Sequence, residues 1–393
     1  MFSRTAAPHT VVTAATTGFT RPRRASYHDP MTRRFLGSQS LKGRGALSNP
    51  HVRFESNSVE RADDGWYQEE EGAASLPETV LPDRAKSVIT TNNSPDVGFE
   101  QSINPYRGCS HGCVYCFARP THAYLGLSPG LDFETKLFYK DNAVELLRAE
   151  LSRRNYVCKT IALGINTDGW QPLEKRLQVS RGVLAVLAEC RHPVTIVTKS
   201  ALVVRDLDLL QDLARDHLVS VMVSITSLDN DIKRTLEPRT ASPLARLKVI
   251  EQLSTAGVPV GVLVAPVIPS LTDHEMEHIL QAAKAAGASS AGYVLLRLPH
   301  EVKDLFREWL AEHYPDRANH VMSLINQSRG GKDYQAEFGT RMVGTGVFAQ
   351  LLRKRFDVAK RKFGLDDAEH RHELCTDLFR PPVTNQAQMT LGF

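Results

Sequence analysis

The chain has 393 residues, 42% of them hydrophobic, and a formal net charge of +4. That length supports a large buried core, as one large domain or two, and so mild a charge permits a nucleic-acid partner without demanding one. No apolar run approaches a membrane span, and six cysteines are too few for a disulfide scaffold, so a soluble protein of a reducing, cytoplasmic compartment is expected.

Residues 1–28 contain no Asp or Glu, many Ser and Thr, and Arg4, Arg21, Arg23 and Arg24. Such a composition resembles an organellar transit peptide. Met31-Thr32-Arg33-Arg34 also reads as a second start, and an over-extended gene start is the preferred explanation. Up to about Lys86 the chain is polar, with an acidic patch at Glu69, Glu70 and Glu71, so residues 1–86 are expected to be mostly disordered or draped.

From about Val97 short β-rich runs alternate with amphipathic segments, the pattern of βα units around a parallel sheet. Strands are expected at 97–104, 160–166, 194–199, 219–226, 259–268 and 291–298. Helices are expected at 142–154, 177–189, 207–216, 243–256 and 273–286. Six strands with intervening helices predict an α/β core over residues 87–300, a partial (β/α)6 barrel of the TIM type left open rather than closed at eight strands. Chemistry in such a core gathers at the carboxyl ends of the strands.

The first expected strand runs into Tyr106-Arg107-Gly108-Cys109-Ser110-His111-Gly112-Cys113-Val114-Tyr115-Cys116-Phe117. Cys109, Cys113 and Cys116 have C-x3-C-x2-C spacing, with an aromatic before the last thiol. Three thiolates on a tight loop can hold three irons of a [4Fe–4S] cube and leave the fourth open to an exogenous ligand. Gly108 and Gly112 let the backbone close around the sulfurs. A structural zinc needs a fourth ligand. Cys158, Cys190 and Cys375 stand alone, and His111 lies inside the same loop, where ligation would strain it.

Polar residues follow the later strands. They are Asn166-Thr167-Asp168-Gly169-Trp170-Gln171-Pro172-Leu173-Glu174, then Thr198-Lys199-Ser200, then Ser224-Ile225-Thr226-Ser227 with Leu236-Glu237-Pro238-Arg239, and finally Ala265-Pro266-Val267-Ile268-Pro269. Any one of these is an ordinary polar loop; their arrival on successive strand ends favours a site. His274-Glu275-Met276-Glu277-His278 matches the H-E-x-x-H zinc motif. Thr272 followed by Glu275 reads instead as a capping box, and no third ligand follows at a recognisable spacing, so a structural role is expected.

Helices at 301–312, 317–327 and 342–363 are expected to form a C-terminal extension over residues 301–365. The last carries Arg353, Lys354, Arg355, Lys360, Arg361 and Lys362, a face suited to phosphates, although a charge run is more often simply solvated. Residues 366–393 read as a flexible tail, approached through Pro381-Pro382. It ends in Gln388-Met389-Thr390-Leu391-Gly392-Phe393. The pattern Q-[LM]-x-L-x-F resembles the peptide by which bacterial polymerases and repair proteins dock on the replication sliding clamp. In that reading Leu391 and Phe393 fill an apolar pocket and Gln388 fixes register, with micromolar-class affinity.

The cysteine loop with Tyr115 resembles the signature of the radical S-adenosylmethionine (SAM) superfamily. Together with Thr198-Lys199, Ser224 and Ser227, Glu237-Pro238 and Ala265-Pro266-Val267, it resembles the branch of spore photoproduct lyase and the DNA repair photolyase-like proteins, over roughly 97–365. Arg119-Pro120-Thr121-His122 and Asp132-Phe133-Glu134-Thr135-Lys136 look like an uncharacterised sub-branch. The resemblance implies a [4Fe–4S] cluster with SAM on its open iron, and reductive SAM cleavage that starts hydrogen-atom abstraction. It places Lys199 and Ser224 against the methionyl part or ribose of SAM, Tyr115 near the adenine, and Asp168 near the amino group. It further implies a flavodoxin or ferredoxin as one-electron donor and a nucleic-acid substrate, for lesion repair or base modification. A peptide or small-metabolite substrate and a non-enzymatic redox sensor are the alternatives. One position departs from the lyase, where a cysteine near the end of the second strand returns hydrogen to the product. Ile165 stands there, so either another donor serves (Tyr293, Cys158 or the substrate itself) or the reaction differs.

Overall fold

The computed structural model describes residues 43–54, 76–366 and 374–382. Its centre is a sheet of six parallel strands, β1 (Gln101–Ile103), β2 (Ile161–Leu163), β3 (Val194–Thr198), β4 (Val219–Ser224), β5 (Val260–Val267) and β6 (Ser290–Leu295). The strands are rich in valine and isoleucine, and β2 and nearly all of β5 are buried. Apolar runs without polar alternation belong in a sheet covered on both faces. The strands lie side by side in chain order, with Ile161 opposite Val194, Val194 opposite Val219 and Val221 opposite Val260. An antiparallel strand, Ile89–Thr91, covers the free edge of β1. Beyond β6 there is only an isolated bridge from Ser290 to Asp366 among the described residues, so the sheet is open, as expected.

The helices that return the chain are α1 (Ala143–Leu151), α2 (Val179–Glu189), α3 (Leu207–Arg215), α4 (Asn230–Leu236), α5 (Pro243–Thr255) and α6 (Met276–Ala285). Start signals in the sequence explain two of them. The Asp229 side chain accepts from Asp231 N at the head of α4, and the Ser242 hydroxyl accepts from Ala245 N ahead of Pro243 in α5. Leucines and valines of these helices meet the strands in one core that includes Leu184, Leu187, Leu213, Ile250, Leu253 and Ile279.

The expected capping box before α6 does not form. The Thr272 hydroxyl accepts from Ile268 N, 2.9 Å, and Glu275 reaches across to Ser227 Oγ and Leu228 N, 2.6 and 2.7 Å. Both side chains satisfy the loops that follow β4 and β5 instead of the helix's own amides. His274 and His278 are exposed, and no trio of His, Cys, Asp or Glu among the described residues can hold a metal ion there.

Three further helices, α7 (Val302–His313), α8 (Pro315–Gln327) and α9 (Gly346–Lys362), follow the sheet. The basic helix is α9. Its Arg355 is already committed, donating to both Glu277 oxygens at 2.8 and 2.7 Å and to the Asp273 carbonyl at 2.9 Å. Within the stretch expected to be flexible, residues 374–382 pack against the turns that lead into β3 and β4. Cys375 N donates to His217 O, Arg380 N to Cys190 O, and the Phe379 ring lies against Tyr156 and His192. Gln388, Leu391 and Phe393 lie outside the described residues. Among the described residues no helix is long and apolar enough to cross a membrane.

Two pieces were not anticipated. A small second sheet joins Thr79–Pro82, Lys136–Tyr139 and Tyr106–Arg107, with the middle strand parallel to the first and antiparallel to the last. Residues 44–53, in the stretch expected to be disordered or draped, lie as a strap against the cysteine loop, and which residues they would touch was not foreseen.

Candidate active site

The cysteine loop follows β1, turning at Gly108 and Gly112, both at positive φ (+74° and +67°). A Cβ on Gly112 would meet a Glu134 carboxylate oxygen at 2.7 Å, so the glycine is required by close approach as well as by conformation. Each stretch of the loop is tied to a different neighbour. Cys109 N donates to Phe133 O, Val114 N to Leu236 O, and Arg239 N to His111 O. Ser110 N donates to Gln171 Oε1, 2.9 Å, and Gln171 Nε2 returns to Gly108 O, 3.3 Å.

Beneath the loop lies Arg119, fully buried. Its Nε donates to Cys113 O (2.9 Å) and its Nη groups to Gly112 O, Pro129 O and Gly130 O, and it pairs with Glu134 at 2.5 Å. Glu134 also accepts Gly45 N and Ala46 N from the strap, at 3.1 and 2.8 Å. Arg44 crosses from the strap to the Glu134 carbonyl and to Leu76 O. A buried ion pair holds only when its remaining hydrogen-bonding capacity is used, and here it is.

A second buried pair, Glu237 with Arg246, stands behind Tyr115. The Tyr115 hydroxyl and Thr226 Oγ1 both donate to Glu237, and Arg246 also reaches Ser224 O and Thr240 Oγ1. Burial alone would push the Glu237 carboxyl up, but Arg246, Lys199 and the two hydroxyl donors bring it down to about 2. The Tyr115 phenol moves the other way, well above its ordinary value, through burial and the adjacent Glu237 charge.

Asp168 is fixed by four contacts: Thr198 Oγ1 to both oxygens (2.9 and 3.0 Å), Trp170 N (2.8 Å) and Lys199 N (2.8 Å). The Lys199 ammonium stands 5.8 Å from the Tyr115 ring centre. His111 Nδ1 lies 3.5 Å from Asp168, and burial pushes this imidazole below its ordinary range.

All these strand ends open into one cavity of about 490 Å³, within the roughly 300–1,000 Å³ of ligand pockets. Cys109, Cys113, Tyr115, Cys116, Asp168, Lys199 and Ser224 all line it, so the residues singled out for cluster and cofactor are brought together. Ser227 is not among them, because its hydroxyl is turned onto Glu275. Ile165 lines the wall, whereas neither Tyr293 nor Cys158 does; Tyr293 packs outward against Phe356, 4.7 Å between ring centres.

Three cysteines around one cavity suit a cluster in which each iron takes one thiolate, whereas a lone structural zinc needs a fourth ligand. Burial raises the pKa of all three thiols, so ligation as thiolates calls for the positive charge of a metal group.

The sequence profile of the radical SAM superfamily matches residues 103–283. An uncharacterised protein of Mycobacterium tuberculosis is 40% identical over 237 residues, 60% of this chain and 70% of the relative. The chain belongs to the radical SAM superfamily. An uncharacterised protein of Methanocaldococcus jannaschii is 25% identical over 237 residues, 60% of this radical SAM chain and 84% of the relative. Among solved structures, spore photoproduct lyase complexed with a dinucleoside spore photoproduct shares the fold. Its TM-score is 0.52 at 17% identity, covering 72% of this chain and 79% of the lyase. This radical SAM enzyme therefore uses a [4Fe–4S] cluster and S-adenosylmethionine, the cofactors of its superfamily.

The strap went unrecognised because Arg44, Gly45 and Ala46 sit in a polar stretch without periodicity. Arg246 was missed because a lone arginine in an amphipathic helix looks solvated. Glu134, fully buried between Phe133 and Thr135 in the short Leu131–Thr135 helix, carried no signal in the sequence that set it apart from its neighbour Asp132.

Proposed function

We propose that Cys109, Cys113 and Cys116 hold the cluster, that Tyr115, Asp168, Lys199 and Ser224 hold SAM, and that the substrate is nucleic acid. The observation that carries the site assignment is that all seven side chains line one cavity at the carboxyl ends of β1 to β4. When bound, the two cofactors supply one-electron cleavage of a sulfonium and abstraction of a hydrogen atom.

The protein's own residues do the positioning. Asp168, immobilised by its donors, offers carboxylate oxygens to an ammonium group. Lys199 brings a cation and Ser224 a hydroxyl to a carboxylate or ribose. Tyr115, locked by its bond to Glu237, gives a flat wall for adenine. Ile165 has no S–H to offer, so hydrogen return from a thiol at this position is not part of the reaction.

The nucleic-acid reading is supported by the shared fold with a lyase solved with a dinucleoside spore photoproduct, and by the net charge of +4. It places the enzyme in the cytoplasm, with a flavodoxin or ferredoxin as electron donor and the Gln388, Leu391 and Phe393 tail docked on the sliding clamp. Clamp binding that is unchanged by removal of Phe393 removes the tail as the docking element.

The deciding experiment is anaerobic reconstitution, reduction in the presence of SAM, and assay of 5′-deoxyadenosine, with and without damaged DNA. Wild type is expected to form it, the Cys113→Ala variant none, and DNA to stimulate it. SAM cleavage indifferent to every nucleic acid would move the substrate to a peptide or small metabolite. A cluster that never cleaves SAM would leave a redox sensor.

A further inference from the structure

Away from Asp168 and Lys199, the cavity wall includes two side chains that the SAM assignment above leaves unused. Phe117, next to the third cysteine, is 43% exposed although it lines the cavity. Arg297, just past β6, stands over its ring with Cζ 5.5 Å from the ring centre. The guanidinium is poorly satisfied. Its Nε is buried without a partner, and its Nη groups reach only Met342 Sδ and the Tyr334 hydroxyl, both at 3.4 Å. Among the described residues no carboxylate pairs with it. The contrast is with Arg341, which lines the same cavity but is paired with Asp96 and donates to Ser94.

Arg329 adds to the positive field. It is buried on the carbonyls of Leu295, Leu296, Thr340 and Arg341, and burial, then the nearby Arg297 charge, lowers its pKa to about 10. A cation held partly desolvated with no acid opposite is costly unless an anion arrives, and a guanidinium is well shaped for phosphate oxygens. An exposed aromatic ring beside it suits an unstacked base, and the ring's remaining exposure leaves surface for a second planar partner.

We propose that Phe117 and Arg297 form a nucleotide subsite, with a substrate base stacked on Phe117 and the adjoining phosphate on Arg297. This rests on the nucleic-acid reading above. It makes the preferred substrate a single-stranded or extruded nucleotide, because a ring lining a cavity cannot reach a base inside a duplex.

The test is fluorescence anisotropy on the anaerobically reconstituted protein, with a short single-stranded oligothymidylate and an abasic strand of equal length. Arg297→Met is expected to weaken both strands about tenfold and to make the log–log salt slope shallower by about 0.7. Arg297→Lys, which keeps the charge, is expected to keep the slope. Phe117→Leu is expected to weaken the oligothymidylate about tenfold and leave the abasic strand unchanged. SAM affinity by calorimetry should match wild type in all three. Unchanged oligothymidylate binding in Arg297→Met and Phe117→Leu overturns the subsite while the nucleic-acid reading stands. Loss of SAM affinity in Arg297→Met with strand binding intact also overturns it and assigns Arg297 to the SAM carboxylate. A wild type that binds neither strand but cleaves SAM defeats the nucleic-acid reading and the subsite together.

Discussion

Arg119 and Glu134, fifteen residues apart in sequence, form a fully buried ion pair at 2.5 Å directly beneath the cysteine loop. Both are satisfied by backbone groups of the loop and of the strap, so the pair couples two distant segments to the place where the cluster binds. Removing one partner leaves an uncompensated buried charge, which costs about 3–5 kcal/mol. Arg119→Met is therefore expected to lower the melting temperature of the cluster-free protein and reduce iron incorporated on reconstitution. Arg119→Lys should not rescue it, since one ammonium cannot replace five directed donors. Wild-type melting in Arg119→Met would show that the pair is dispensable, and wild-type melting in Arg119→Lys that the charge suffices without the directed donors.

Gly45 makes the strap's closest approach. A Cβ there would lie 1.9 Å from Gly112 O, which no side-chain rearrangement relieves. Gly45→Val is expected to lift the strap from the loop and speed loss of the cluster's visible absorbance in air, with Gly43→Val, in open space, as control. Gly43 is at φ +77°, so this control carries some backbone strain of its own without touching the loop. Equal decay in the two variants would separate the strap from cluster protection.

Glu237 makes stability depend on acid. Its folded pKa, about 2, lies below its unfolded value near 4.5, so its ionised form contributes stability that is fully present above about pH 4.5 and is lost as pH falls toward 2. The size is roughly 3 kcal/mol, from a pKa difference of about 2.5. Denaturant unfolding at pH values between about 6 and 3 is expected to show wild-type stability falling more steeply than that of Glu237→Gln. Parallel slopes would assign acid sensitivity to other carboxylates.

Among the described residues Lys199 is the one cation on the wall beside Asp168 and Tyr115. Lys199→Ala is expected to weaken SAM binding about tenfold to a hundredfold, the scale of one charge-assisted hydrogen bond. Calorimetry on the reconstituted protein reads this directly. Cys190→Ser, changed at a buried thiol remote from the cavity, should bind SAM as wild type does. Unaltered affinity in Lys199→Ala would remove this residue from the cofactor site.

Much of the architecture was legible because it is written in local pattern. The valine-rich runs at 194–199 and 219–226 sit within two residues of β3 and β4, since apolar β-branched stretches bounded by polar turns have few other uses. The same local logic failed at Thr272 and Glu275, where the capping-box spacing was present but each side chain found a better partner across the loops. It failed also for Tyr293, offered as a hydrogen donor although in mid-strand it packs outward onto Phe356.

The sequence alone determined the cysteine spacing, the order of strands and helices, and the polar residues waiting at the strand ends, because each depends on neighbours within a few positions. Only the tertiary structure decided that Gly45 would press on Gly112, that Arg246 would neutralise Glu237 behind Tyr115, and that Arg297 would come to rest over Phe117 without an acid. Those pairings join segments up to 180 residues apart. They are settled by which charges are desolvated together when the sheet and its loops close, and no local pattern records that.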